Sequence, residues 1–258
     1  MATMLRRRPM SRIAFHWAPC PMPTAAPDDA VVVVAADLDA PTAARERWMQ
    51  SLTAAEHARA QRFRFDRDRD RHRAGRGLLR HLLGALLGAD PAAIAFHAGP
   101  RGKPYLAPHG APQPLWFNMS DADGLALFAF SRRAEVGVDV ERQRPLPELE
   151  TIAATSLAPI ERATLAALPD DERLRAFYRL WTRKEGYLKA TGDGLLAPLQ
   201  AFAVSCRADE PAALLHADAD PHAAARWRLH ALEPAAEFVG TAVVAADGLR
   251  VVCGVVDR

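Results

Sequence analysis

Gly137-Val138-Asp139-Val140-Glu141 and Trp181-Thr182-Arg183-Lys184-Glu185-Gly186-Tyr187-Leu188-Lys189 place acidic and basic residues inside runs that otherwise read as core. Strand alternation sends Val136, Val138 and Val140 to one face and Asp139 and Glu141 to the other. In the second segment Leu174, Tyr178, Trp181, Glu185 and Leu188 follow helical spacing along one stripe. Glu185 therefore stands where the pattern asks for an apolar residue. A lone buried carboxylate is costly and calls for a cation, a metal or a strong donor. Lys189, one turn on, is one such partner. A hard divalent ion held by Asp139, Glu141 and Glu185 would satisfy all three.

Working outward, residues 31–34 are a run of valines and read as a buried strand. Residues 41–52 and 53–87 read as helices, the second opened by a capping box at Thr53-Ala54-Ala55-Glu56. Leu78, Leu82, Leu83, Leu86 and Leu87 supply its apolar face, and Gly88 and Pro91 bracket its end. Strands are expected at 94–97, 115–118, 125–130 and 135–141, the last two as a hairpin turning at 131–134. Pro145 and Pro147 open a helical stretch that ends in a long helix over 172–190, capped by Gly192. Residues 201–206, 227–231, 238–245 and 249–256 read as strands, with Asp247-Gly248 as a hairpin turn. The expected class is α+β. Two similar lobes, 30–134 and 135–258, each pack helices on an antiparallel sheet. Residues 1–29, rich in Arg, Pro and Ala, read as a disordered extension.

Composition narrows the function. The chain has 258 residues, half of them hydrophobic and a quarter charged, as expected of a soluble globular protein. A net charge of +2 gives no global field for nucleic acid. The dense arginine run from Arg59 to Arg73 is interleaved with Asp66, Asp68 and Asp70, so it reads as a solvated helix face laced with ion pairs. Cys20, Cys206 and Cys253 suit neither a disulfide framework nor a zinc site and fit a reducing cytoplasm. No apolar run approaches the ~18–20 residues that span a bilayer, and the basic start lacks the apolar core of a leader. A cytoplasmic enzyme is the expectation, with no nucleic-acid or membrane partner.

Gly-Val-Asp-Val-Glu followed by Trp-x-x-Lys-Glu-x-x-x-Lys-x-x-Gly-x-Gly-Leu, from Trp181 through Gly192, Gly194 and Leu195, resembles the signature of the Sfp-type 4′-phosphopantetheinyl transferases. Gly102-Lys103-Pro104 and Phe117-Asn118-Met119-Ser120 resemble two further family blocks. The stretch from Arg59 to Arg80, with Phe63, Phe65, Arg73 and Arg76, resembles the family's N-terminal helical block. The resemblance spans roughly Val31 to Leu199 with its blocks in order.

It implies a pseudo-twofold pair of lobes with the site in the cleft between them, and a monomer. It implies transfer of 4′-phosphopantetheine from coenzyme A, the co-substrate, to a serine of an apo acyl or peptidyl carrier protein. Such carriers serve fatty acid, polyketide or nonribosomal peptide synthesis, often in secondary metabolism. The metal would be Mg²⁺ on Asp139, Glu141 and Glu185. Glu185 would take the serine proton, directly or through a water, and Lys189 would add positive charge at the reacting phosphate. Arg59, Arg101, Lys103, Ser120, Lys184 and Lys189 would contact the coenzyme. One departure stands out: after Ser120 the family block continues with a histidine that meets the coenzyme's phosphate, and this chain has Asp121. A non-catalytic coenzyme A or carrier-protein binder is the alternative reading.

Overall fold

The computed structural model describes residues 13–14, 16–106, 115–194 and 197–256. Its strands are β1 (Pro19–Cys20), β2 (Ala30–Asp37), β3 (Phe96–Ala98), β4 (Pro104–Leu106), β5 (Trp116–Ala122), β6 (Leu125–Ser131), β7 (Val136–Arg142), β8 (Phe202–Val204), β9 (Leu214–Ala217), β10 (Arg228–Leu232), β11 (Phe238–Val244) and β12 (Arg250–Val256). Its helices are α1 (Thr42–Met49), α2 (Ala54–Ala60), α3 (Asp66–Leu87), α4 (Leu149–Ser156), α5 (Pro159–Ala166), α6 (Asp170–Thr191) and α7 (Ala223–Arg226). The fold is α+β.

Two sheets stack face to face. One runs β1-β12-β2-β6-β5, the other β10-β11-β7. Val31, Val33, Leu125 and Leu127 of the first meet Val136, Val138, Val140 and Ala242 of the second in a dry seam. On the outer face of the first sheet lies α3, through Ala74, Leu78, Leu79, Leu82 and Leu83. On the outer face of the second lies α6, through Phe177, Leu180, Tyr187 and Leu188. Each long helix has 22 residues and ends on a left-handed glycine, Gly88 or Gly192. The resulting order is helix, sheet, sheet, helix, with β5 and β7 running side by side where the sheets join. There the Asn118 side chain accepts the Val138 amide at 2.9 Å, covering an edge that β7 would otherwise expose.

Five expectations change. Residues 53–87 form two helices, not one: α2 stops at Ala60, and Asp66 and Asp68 start α3 by meeting the positive end of a new helix. β6 and β7 do not pair as a hairpin. β7 is apolar on one face only, and that face packs against Leu125 and Leu127 of β6 across the two sheets, while Ala126, Phe128 and Phe130 on the other face of β6 pack under α3. The true hairpin is β5–β6, turning at Asp123-Gly124, where φ is +50° and +93°, as a two-residue turn requires. Asp247-Gly248 is likewise a crossover: β11 belongs to the second sheet, and β12 runs parallel to β2 in the first. The lobe boundary is therefore not a single cut at 134/135, since the C-terminal strand completes the N-terminal sheet. Part of the 1–29 extension is ordered, because β1 pairs with β12. Residues 1–12 and Leu195 of the motif lie outside the described residues.

Candidate active site

The site exists because a glycine lets a helix touch a sheet. Gly137 shares its strand face with Asp139 and Glu141, and a Cβ there would run into the Gly186 carbonyl and the Ala190 amide of α6. With no side chain at 137, α6 lies directly on β7, bringing Glu185 and Lys189 beside Asp139. Ser120, from β5 of the other sheet, completes the group. Its hydroxyl donates to Asp139 Oδ1 at 2.9 Å, and Lys189 Nζ donates to Ser120 Oγ at 2.8 Å and to Asp139 Oδ1 at 2.6 Å.

The electrostatics of this cluster favour binding a cation. Asp139 is 3% exposed. Burial pushes its carboxyl above the usual range, while Lys189 and Ser120 hold it down. Burial and the neighbouring Asp139 raise Glu185, again against Lys189. Glu141 is raised to about 7 by burial, with Asp139 and Glu185 adding to the rise and Lys189 and the Trp181 indole opposing it. Asp139 Oδ2 and Glu185 Oε1 are buried without a hydrogen-bond partner. Lys189 alone does not offset three carboxylates. Among the described residues no three His, Cys, Asp or Glu side chains converge as a ready-made metal cage. Two orphaned oxygens on adjoining carboxylates, with Glu141 beside them, nonetheless fit a hard cation that keeps part of its own water shell.

Lys103 and Arg101 come from the first lobe to the C-terminal end of α6. Lys103 Nζ donates to the Ala190 carbonyl at 2.6 Å, one residue beyond Lys189, and Arg101 pairs with Asp193. Burial lowers the Lys103 ammonium, partly offset by Glu135. With one proton committed, Lys103 keeps two for an anion. Both residues line a cleft of about 710 Å³ with Trp116, Glu135, Thr191 and Gly192.

The remaining assignments separate. Lys184 does not face the cleft: it is fully buried, paired with Glu161 at 2.8 Å, and donates to the Leu199 and Phe202 carbonyls. One position before Glu185 on a helix is a turn of about 100°, which carries it to the other side of α6. Its assignment to the coenzyme is therefore corrected. Arg59 is exposed on α2, in electrostatic reach of His72 and Arg76 rather than of Asp139. Asp121 points to the opposite strand face from Ser120. It is exposed, yet crowding by surrounding protein raises its carboxyl, with Lys189 and Arg71 pulling it down and Asp68 pushing it up. Three supporting residues had no role assigned from the sequence: Asn118, the Trp181 indole and Glu161. Trp181 carried a signal, since its stripe is the one that contains Glu185.

A buried carboxylate cluster with an ammonium at hydrogen-bond distance lies along α6 from a separate cleft edged by Lys103 and Arg101, and together these charges suit the class of proteins that handle phosphate groups. Sequence comparison sharpens that class. Residues 135–245 match the 4′-phosphopantetheinyl transferase superfamily, and residues 41–132 match the 4′-phosphopantetheinyl transferase N-terminal family. The 4′-phosphopantetheinyl transferase HetI of Nostoc sp. is 38% identical over 232 residues, covering 90% of this chain and 94% of that protein. The 4′-phosphopantetheinyl transferase of Bacillus subtilis is 32% identical over 174 residues, covering 67% and 75%. A solved holo-[acyl-carrier-protein] synthase from Thermotoga maritima overlaps 43% of this chain and 61% of its own at 21% identity, with a TM-score of 0.34. The chain belongs to the 4′-phosphopantetheinyl transferase superfamily and is an enzyme of that class. Among the described residues no helix is long and apolar enough to cross a membrane.

Proposed function

We propose that this chain is an Sfp-type enzyme that moves 4′-phosphopantetheine from coenzyme A onto a serine of an apo acyl or peptidyl carrier protein. Adenosine 3′,5′-bisphosphate leaves. The observation that carries the reading is the pair of orphaned carboxylate oxygens, Asp139 Oδ2 and Glu185 Oε1, beside Lys189. Asp139, Glu185 and Glu141 would hold Mg²⁺, which when bound neutralises pyrophosphate charge and steadies the leaving oxygen.

The chain's own groups supply the rest. The acceptor serine oxygen bonds to the phosphorus that carries pantetheine, and the bond from that phosphorus to the bridging oxygen breaks. Lys189, held by Asp139 and Ser120, sets a positive charge against the phosphoryl oxygens as negative charge spreads over them. Lys103 grips the coenzyme as a point charge. Glu185 accepts the serine proton directly or through an intervening water, and the water route fits better because a carboxylate engaged with a metal is a poor free base. The test is incubation of an apo carrier domain with coenzyme A and Mg²⁺, read as the mass of one added phosphopantetheine on the carrier serine. Coenzyme binding without any mass gain across a panel of carriers would favour a non-catalytic binder instead.

A further inference from the structure

We propose that Asn118 is a positioning residue for the carboxylate cluster: it sets the spacing between β5 and β7, and so holds Ser120 against Asp139 and Lys189. This rests on the reading of that cluster as the reaction centre. β5 and β7 are each the edge strand of their own sheet, and no ladder joins them. Among the described residues, two side-chain hydrogen bonds span the gap between the two strands. Asn118 Oδ1 accepts the Val138 amide at 2.9 Å, and Ser120 Oγ donates to Asp139 Oδ1 at 2.9 Å. The second bond is made by the functional groups themselves. The first ties the backbone of β7 to β5.

Asn118 and Ser120 are two residues apart and share one face of β5. Phe117 and Met119 take the other face and pack with the core under α3, Met119 beside Gly75. The surroundings of Asn118 are apolar: its cross-strand neighbour on β6, Ala129, belongs to the dry seam, as does Val138. Asn118 is 6% exposed. An amide in such a place costs stability unless it is bonded, so its presence points to the bond it makes. An apolar side chain of similar size would leave the Val138 N–H without a partner. What lies one residue on gives that bond its chemical weight. Lys189 Nζ is held by two acceptors, one from each sheet: Ser120 Oγ at 2.8 Å and Asp139 Oδ1 at 2.6 Å. If the strands part, the ammonium can follow only one of them. A displacement of ~1 Å at a reacting centre can cost about a hundred-fold in rate. Asn118 bonds to backbone, so its effect passes through Val138 to Asp139.

In the experiment Asn118→Ala removes the acceptor, and Asn118→Asp keeps an oxygen at the same reach. Leu79→Ala, in the core under α3, controls for lost stability alone. Each folded protein is assayed with an apo carrier domain and coenzyme A, and each is melted with and without Mg²⁺. For Asn118→Ala, kcat should fall about ten-fold or more, with KM for coenzyme A within about two-fold of wild type. The rise in Tm on adding Mg²⁺ should drop to about half or less, because Asp139 is no longer fixed. Asn118→Asp should recover most of both, and Leu79→Ala should keep both despite a lower Tm. If Asn118→Ala does not fold, Asn118→Ser, whose oxygen falls short of the Val138 amide, carries the same expectation. Wild-type kcat and Mg²⁺ shift in the variant without the acceptor overturn the proposal. So does an Asn118→Asp enzyme as impaired as Asn118→Ala, since the acceptor would then not be what counts. A wild type that modifies no carrier defeats the parent reading instead, and the Mg²⁺ shift then decides the role of Asn118 by itself.

Discussion

The two long helices, α3 and α6, have the same length, the same type of cap and the same relation to a sheet, yet opposite assignments of charge. In α3 the sheet-facing stripe is apolar, and charges pair toward α2, where Arg76 and the buried Arg80 both meet Glu56. In α6 the charge is turned inward: Glu185 and Lys189 meet Asp139, and Lys184 is buried against Glu161. Ionised groups inside a protein are costly, so the scaffold tolerates them only where they are paired or used. The contrast shows how one lobe can serve as support while the other holds the chemistry. Even within α6 the two lysines differ. Lys184 staples the helix to the strand after it, and Lys189 is 30% exposed beside Asp139 and Ser120.

The contrast breaks most sharply at Asp139. Asp139→Ala removes an orphaned oxygen and the acceptor of Lys189 while opening only a small void. Carrier modification should fall by at least about three orders of magnitude, ~4 kcal/mol in the barrier. The melting temperature should stay near wild type. Leu79→Ala in α3 should do the reverse, losing ~2–5 kcal/mol of stability while the folded fraction keeps its turnover. Near-normal turnover by Asp139→Ala at limiting Mg²⁺ would end the assignment.

A second test separates the two lysines of α6. Glu161→Leu strands a buried ammonium and should cost ~3–5 kcal/mol. The double change Glu161→Leu/Lys184→Met should recover most of that loss, because both desolvated charges are gone. Its turnover should approach wild type if Lys184 only positions the helix. Urea unfolding and carrier assays on the same samples decide this. A double variant that folds fully but has lost affinity for coenzyme A would restore the role that the sequence suggested for Lys184.

The reason Lys184 misled is instructive. Its pattern is legible only as helical spacing near Glu185, and spacing does not tell which face an adjacent residue shares with a partner far along the chain. The strand face of Asp139 and Glu141 and the anomaly of Glu185 were legible, because both follow from local periodicity. The hairpin readings at 131–134 and 247–248 failed for the opposite reason: local turn chemistry is the same whether the next strand pairs beside its predecessor or crosses to another sheet. Burial of Val136, Val138 and Val140 against Leu125 and Leu127 made that choice. Gly137 looked like an ordinary strand residue, and its need to be small appears only once α6 lies on it.

The carboxylate cluster also sets a pH dependence that α3 should lack. Glu141 titrates at about 7 in the folded chain against 4.5 as its ordinary value. A carboxyl raised on folding contributes stability that is full below its unfolded pKa and is lost as pH rises through its folded pKa. Asp139 and Glu185 shift the same way. In EDTA, stability should therefore decline between about pH 4.5 and 7.5, by ~1–3 kcal/mol after allowance for solvent screening. Glu141→Gln should flatten the slope, and saturating Mg²⁺ should do so by favouring the ionised carboxylates. Thermal melts across pH with and without the metal measure it, and a profile that rises with pH in EDTA would contradict the placement of these groups.

The smallest expected effect lies where the two helices meet electrostatically. Asp121 feels Lys189 from α6 and Arg71 and Asp68 from α3, and it is exposed beside the reaction centre. Its negative charge opposes an incoming phosphate. Replacing it with histidine removes that charge and, when the ring is protonated, adds a donor. Coenzyme A should bind more tightly, by ~1 kcal/mol where a charge-assisted hydrogen bond forms. The gain should be larger at pH 6 than at pH 8, since only the imidazolium is charged. Crowding and the adjacent cations of Lys189 and Arg71 work against protonation, which caps the effect. Calorimetric titration of wild type and Asp121→His at the two pH values reads the difference directly. Equal affinities at both would mean that Asp121 faces α3 alone, and that Lys103 and Arg101 at the end of α6 hold the coenzyme without help from the α3 side.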